Sequence, residues 1–262
     1  MKLQNFLSTM RFSLVALVAT AFTALSVAPA YAQENAPLQV ATDATFAPME
    51  YTENGIRKGF DIDILNALAK SMGKQVQWTD IDFKGLVPGL IAKRFDIAIS
   101  AIYITPERAK VVNLTDSYFA GGLVALVKQD SSIKSLADLN GKKVSVQVGT
   151  KSVSYLHDNY PKVSTVEVEK NQEMFDLVGI GRVDAAVTGK PAAFQFVRTR
   201  PGFRVVDEAL TTEAYGIAVR KDEPQLLVDL NTALTKIKAD GTYNAIVEKW
   251  FPANHAATAA AK

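Results

Sequence analysis

GLIAKRFDIAIS, Gly89 to Ser100, and its echo LVGIGRVDAAVT, Leu177 to Thr188, decide the fold. Each runs from a helix end through a basic residue, an apolar residue and an Asp into a short apolar strand. Such a strand directly after a helix is the mark of a parallel sheet buried on both faces. The rest of each half differs, so the echo predicts two lobes of similar build, not a tandem repeat.

The same grammar extends outward. Leu38 to Thr42 reads as a strand. Gly59 to Met72 reads as a helix with Asp61 as N-cap, an apolar face of Ile64, Leu65, Leu68 and Met72, and a stop at Gly73. Gln75 to Trp78 is the next strand. Leu86, Val87, Leu90 and Ile91 mark a helix with Lys93 and Arg94 near its C-terminus, where cations suit the helix dipole. Ile97 to Ala101 is the third strand. This β-α-β-α-β order predicts a doubly wound α/β lobe. The pattern restarts with strands at Leu123–Val127, Lys143–Val148, Ser164–Val168 and Asp184–Thr188, and helices at Ser135–Leu139, Ser152–Asn159 and Met174–Gly179. The chain returns through a strand from Ala214 to Val219. Helices from Glu223 to Lys238 and onward to Trp250 close it. The expected organisation is lobe 1 at 33–117 plus 217–252, lobe 2 at 123–211, and a two-strand hinge at 118–122 and 212–216. A hinge between two such lobes puts the default ligand site in the cleft, at the C-terminal ends of the strands.

One segment carries a chemical signal. In ITPER, Ile104 to Arg108, Thr105 is placed as N-cap and Pro106 as N1, where a missing N–H costs nothing. Arg108 falls in that first turn. Cations are mildly disfavoured there, so its guanidinium fork invites a search for a carboxylate.

Bulk composition narrows the function. Residues 1–32 read as a signal peptide: Lys2 and Arg11 precede the apolar run Phe12–Val27, and Ala30-Tyr31-Ala32 is a small-x-small cleavage site. An exported, periplasmic protein cut after Ala32 is expected. Without Lys2 and Arg11, 27 basic residues face 27 acidic ones. Near-zero charge argues against nucleic acid or an anionic membrane as partner. Zero Cys removes disulfides, thiol catalysis and Cys-ligated metals. The only His are His157 and His255, the latter in a tail at 253–262 expected to be disordered. No GxSxG, HExxH or P-loop is present, so no cofactor, metal or catalytic residue is expected.

The chain resembles periplasmic solute-binding proteins of the polar-amino-acid family, which serve ABC importers, and is nearest to its glutamine binders. The resemblance rests on ATDATFAPMEY (41–51), GFDIDI (59–64), DFKGLVPGL (82–90), ITPER, VGTKS (148–152) and DGTYNAIVEKWF (240–251). It implies a small-molecule ligand, an amino acid or organic acid, a membrane permease as partner, and a periplasmic-binding-protein type II fold; a monomer is expected. Residue by residue, it implies that Asp43 faces the ligand side chain and that Phe46 and Phe83 sandwich its stem. Arg108 grips its carboxylate. Ser100 and Ala101 offer backbone groups and one hydroxyl, and Gly149, Thr150 and Lys151 bring helix N–H groups from the second lobe. Gln147, where glutamine binders carry Lys, meets the far end of the ligand. Three positions depart from the pattern. Tyr103 stands where the family has Thr and Gly189 where it has Asp, both of which hold the ligand ammonium. Thr188 stands where glutamine binders have His. The carboxylate grip survives these changes better than the ammonium site. Either another acid, with Asp43 the nearest, replaces the lost one, or the ligand lacks a conventional α-amine. Two other readings remain open: a dehydratase-type enzyme on the same scaffold, and a sensor domain working through a membrane partner.

Overall fold

The computed structural model describes residues 36–252. The expected leader at 1–32 and tail at 253–262 lie outside the described residues. The first lobe opens with β1 (Leu38–Thr42) and a three-stranded antiparallel ribbon, β2 (Thr45–Phe46), β3 (Glu50–Glu53) and β4 (Ile56–Lys58). It continues with α1 (Phe60–Ser71), β5 (Val76–Asp80), α2 (Leu86–Ile91), β6 (Ile97–Ala98), α3 (Pro106–Val111) and β7 (Asn113–Leu114). After β8 (Phe119–Ala120), the second lobe runs β9 (Leu123–Lys128), β10 (Lys143–Gln147), α4 (Lys151–Asn159), β11 (Ser164–Val168), α5 (Asn171–Gly179), β12 (Ala185–Gly189), α6 (Lys190–Thr199) and β13 (Phe203–Val205). The chain returns through β14 (Ala214–Tyr215) to β15 (Ala218–Val219), α7 (Pro224–Ala239) and α8 (Thr242–Trp250).

The two lobes carry the same sheet. In the first, the order is β5-β1-β6-β15-β7; in the second it is β11-β10-β12-β9-β13. In each, the first three strands are parallel and the fourth and fifth join antiparallel. Register places Val40 opposite Ile97 in one sheet and Val144 opposite Ala185 in the other. All four are fully buried. Between the sheets, β8 and β14 form a separate two-stranded antiparallel ladder, Ala214 opposite Ala120 and Tyr215 opposite Phe119. This is the hinge, and it is packed with rings: Phe119 stacks on Tyr215 at 6.2 Å and meets Phe60 at 5.0 Å. Each buried aromatic or aliphatic side chain of this kind contributes about 1.5–3 kcal/mol.

Several expectations need correction. Asp61 is not the N-cap of α1. Gly59 holds that place without a side-chain cap, and the buried Asp61 carboxylate accepts from the Ala101 N–H and the Tyr118 hydroxyl, both at 2.8 Å. The strand expected over Ile97–Ala101 pairs only at Ile97–Ala98, because the chain turns at Ala101, whose φ is 47°. The strand expected from Ala214 to Val219 breaks into β14 and β15 at Gly216. A Cβ there would lie 2.8 Å from Ile104, so only glycine lets the chain pass from hinge to first sheet. The ribbon β2–β4 and helix α6 were not anticipated.

Candidate functional site

The site residues sit where strands end. Asp43 follows β1, Phe83 follows β5, Ser100 and Ala101 follow β6, Gln147 ends β10, and Thr188 and Gly189 end β12. All five strands point their C-terminal ends into the space between the lobes, the usual place for a ligand in open α/β sheets. Asp43, Phe46, Phe83, Ser100, Ala101, Tyr103, Gln147, Thr150 and Thr188 line one cavity. Arg108, Gly149, Thr150 and Lys151 line a second that meets the first at Thr150. The structure thus gathers all twelve sequence-predicted residues around one cleft.

At the Arg108 end, Thr105 caps α3 through its hydroxyl, which accepts the Arg108 N–H at 3.3 Å, and Pro106 opens the helix. The half-buried guanidinium donates to the Tyr103 carbonyl at 3.0 Å and lies 5.5 Å from the centre of the Phe83 ring. Burial lowers its pKa to about 10, so it stays charged at neutral pH. Among the described residues, no carboxylate lies within ion-pair distance of it. Across the cleft, α4 begins after Thr150 with no side-chain cap, leaving the positive end of a helix facing the same cavity. The Lys151 ammonium is not free: it pairs with Glu213 at 2.9 Å.

At the other end, Asp43 is 1% exposed and already satisfied. It accepts from the Thr45 hydroxyl at 2.9 Å, the Phe83 N–H at 3.1 Å and the Gln147 side-chain amide at 2.7 Å, with the Lys170 ammonium 3.6 Å away. Desolvation nevertheless raises its pKa. Gln147 and Lys170 come from the second lobe, so these contacts bridge the cleft. Lys170 also donates to Asp82 at 2.6 Å, and beside it Lys84 pairs with Glu169.

The middle of the cleft departs from expectation. The Ala101 N–H is engaged by Asp61, and the Ser100 hydroxyl donates to Glu50 at 2.7 Å while accepting the Asp43 N–H at 3.2 Å. Neither of these groups is available to a ligand. Glu50, fully buried, was missed by sequence reasoning. Desolvation holds its pKa well above the usual carboxylate range, with the neighbouring Asp61 adding to it. Desolvation also raises Asp61, to about 6. Burial thus pushes both carboxyls toward their neutral forms, Glu50 with the added push of the Asp61 charge. Tyr215, also missed, places its hydroxyl 3.3 Å from that of Tyr103. Both point at Gly189. A Cβ at Gly189 would lie 2.4 Å from the Tyr215 hydroxyl oxygen and 3.0 Å from Phe46. Tyrosines and glycine at this spot are one packing unit. Asn171 and Lys170, missed as well, lie just beyond the C-terminal end of β11; the strand-end rule that placed the other residues applies to them equally.

Residues 38–253 match the model of the bacterial extracellular solute-binding proteins, family 3. The ABC transporter arginine-binding protein 1 of Escherichia coli (strain K12) is 38% identical over 215 residues, covering 80% of this chain and 88% of that one. A solved ancestral arginine-binding protein bound to glutamine is 42% identical, with TM-score 0.79, covering 82% of this chain and 98% of the other. An ancestral amino acid-binding protein, described as a precursor of cyclohexadienyl dehydratase, is 41% identical with TM-score 0.77, covering 82% and 95%. This chain belongs to family 3 of the bacterial extracellular solute-binding proteins.

Proposed function

From membership of that family, we propose that the cleft captures a small carboxylate solute, an amino acid with a polar side chain, and that closure of the lobes hands it to an ABC permease. Export to the periplasm with cleavage after Ala32, and a monomeric state, complete the reading. The observation that carries it is Arg108: a half-buried guanidinium with no carboxylate in ion-pair distance among the described residues, facing an uncapped helix start from the other lobe. A ligand carboxylate satisfies both at once, through the parallel hydrogen bonds that a guanidinium offers and the helix N–H groups. Phe46 and Phe83 supply apolar faces for the stem between carboxylate and tail. Closure excludes water and strengthens every polar contact. Ligand binding shifts the population toward the closed form, whose two-lobe surface is what a permease reads.

Glutamine and arginine are among the ligands that the relatives' names bring forward, and an organic acid is the alternative if the ligand carries no ammonium. Calorimetry on the purified protein with a panel of amino acids and organic acids tests the reading. At least one member should bind in the micromolar range or tighter, and Arg108→Ala should weaken it sharply. Flat titrations across the panel overturn the proposal.

The enzyme reading would need an acid aimed at the ligand. Glu50 is a buried carboxyl in the cleft wall that desolvation holds toward its neutral form, but it accepts from the Ser100 hydroxyl and neighbours Asp61. That arrangement favours binding over catalysis.

A further inference from the structure

The Asp43 end of the cleft carries its own counter-charge and a locked amide. Asn171 donates its side-chain N–H to the Gln147 carbonyl oxygen at 2.9 Å. The Thr188 hydroxyl donates to the Asn171 carbonyl oxygen at 3.5 Å. This chain settles which way the Gln147 amide faces. Its nitrogen points at Asp43 and at the Glu169 carbonyl, 2.7 and 2.9 Å away. All three polar side chains are buried. Lys170, next to Asn171, places its ammonium between Asp43 and Asp82. Asp80, the other acid of this corner, is occupied with the Ala44 N–H at 2.9 Å.

We propose that Lys170 and Asn171 set the specificity of this cleft: they reserve Asp43 for neutral, hydrogen-bonding ligand tails and discriminate against cationic ones. The inference rests on the reading that the cleft binds an amino acid through Arg108, and it names the class of side chain taken. A cationic tail brought to Asp43 must displace the Lys170 ammonium or the Gln147 amide, so it exchanges one donor for another and crowds a like charge. An amide tail can both donate and accept, and it exchanges into this corner without bringing a second positive charge beside Lys170. Lys170 acts on the tail site through its ion pair with Asp43. Asn171 acts through Gln147 and is a positioning residue.

The test is calorimetry with glutamine and with arginine on the wild type, Lys170→Met, Lys170→Arg and Asn171→Asp, with Tm recorded for each. The wild type should bind glutamine at least tenfold tighter than arginine. Lys170→Met should move that ratio at least tenfold toward arginine, and Lys170→Arg should keep it. Asn171→Asp, which removes the donor that fixes Gln147, should weaken glutamine more than arginine. Lys170 is half-exposed, so its variants keep the fold and the ratio is readable. An arginine preference in the wild type, or a ratio unmoved by Lys170→Met, overturns this inference and leaves the binding function intact. Failure of both amino acids and of every organic acid in the panel overturns the binding function and this inference with it.

Discussion

The two ends of the cleft hold opposite charges in opposite states. Arg108 has a carbonyl and a ring for company and no ion-pair partner among the described residues. Asp43 has three hydrogen-bond donors and a nearby ammonium. A charge left without a counter-ion in a cleft costs desolvation that only a ligand can offset. A charge satisfied from within contributes to the closed arrangement and filters what enters. On the proposed reading, affinity comes from the Arg108 end and selectivity from the Asp43 end.

The sharpest way to break that assignment is Arg108→Ala. It should cost about 2–5 kcal/mol of binding, the range for truncating one side of a hydrogen-bonded charge pair. Calorimetry with the best ligand reads it directly. Arg108→Lys keeps the charge without the planar fork and should recover only part. If both variants bind like the wild type, affinity does not come from this end.

The middle of the cleft offers the next test. Gly189→Ala should destabilise the protein by about 1–3 kcal/mol, the cost of overpacking a filled site. Tyr215→Phe removes the hydroxyl oxygen that the new methyl would meet at 2.4 Å. The double variant should therefore regain part of the lost Tm. A Gly189→Ala protein as stable as wild type would show that this wall is soft.

The smallest effect concerns the Glu50–Asp61 pair. Both carboxyls are raised, so the folded state holds more protons than the unfolded chain in this window. Their contribution is fully present below the ordinary carboxylate range and is lost as pH rises through about 6 for Asp61. Glu50→Gln keeps a donor toward Asp61 without a proton to lose. The Tm difference between variant and wild type should grow in the variant's favour from pH 4 to pH 8, by on the order of 1 kcal/mol, or roughly 2–4 °C. A difference that is flat with pH would show that burial does not raise these carboxyls. It would leave the contrast between Arg108 and Asp43 untouched.

Much of this was legible in the chain itself. Apolar runs after helices betrayed both sheets, because a strand buried on two faces tolerates little polarity. Thr105, Pro106 and Arg108 announced a capped helix start with an unmatched cation, since capping is decided within four residues. Glu50, Tyr215, Lys170 and Asn171 were not legible as site residues. Their signals are a short ribbon, a hinge strand of two residues, and two polar residues at a helix start. Nothing local marks Glu50 or Tyr215, whereas Lys170 and Asn171 follow a strand end as the other site residues do.

The order of hydrophobic and helical segments fixes the lobes and the strand ends, and with them the neighbourhood of the site, because those preferences act over a few residues. Folding across long separations decides which charges meet. Asp43 finds Gln147 across 104 positions, and the Tyr103 and Tyr215 hydroxyls meet across 112. Only the packing of the two lobes shows that buried Asp43 is satisfied while half-buried Arg108 has no ion-pair partner among the described residues.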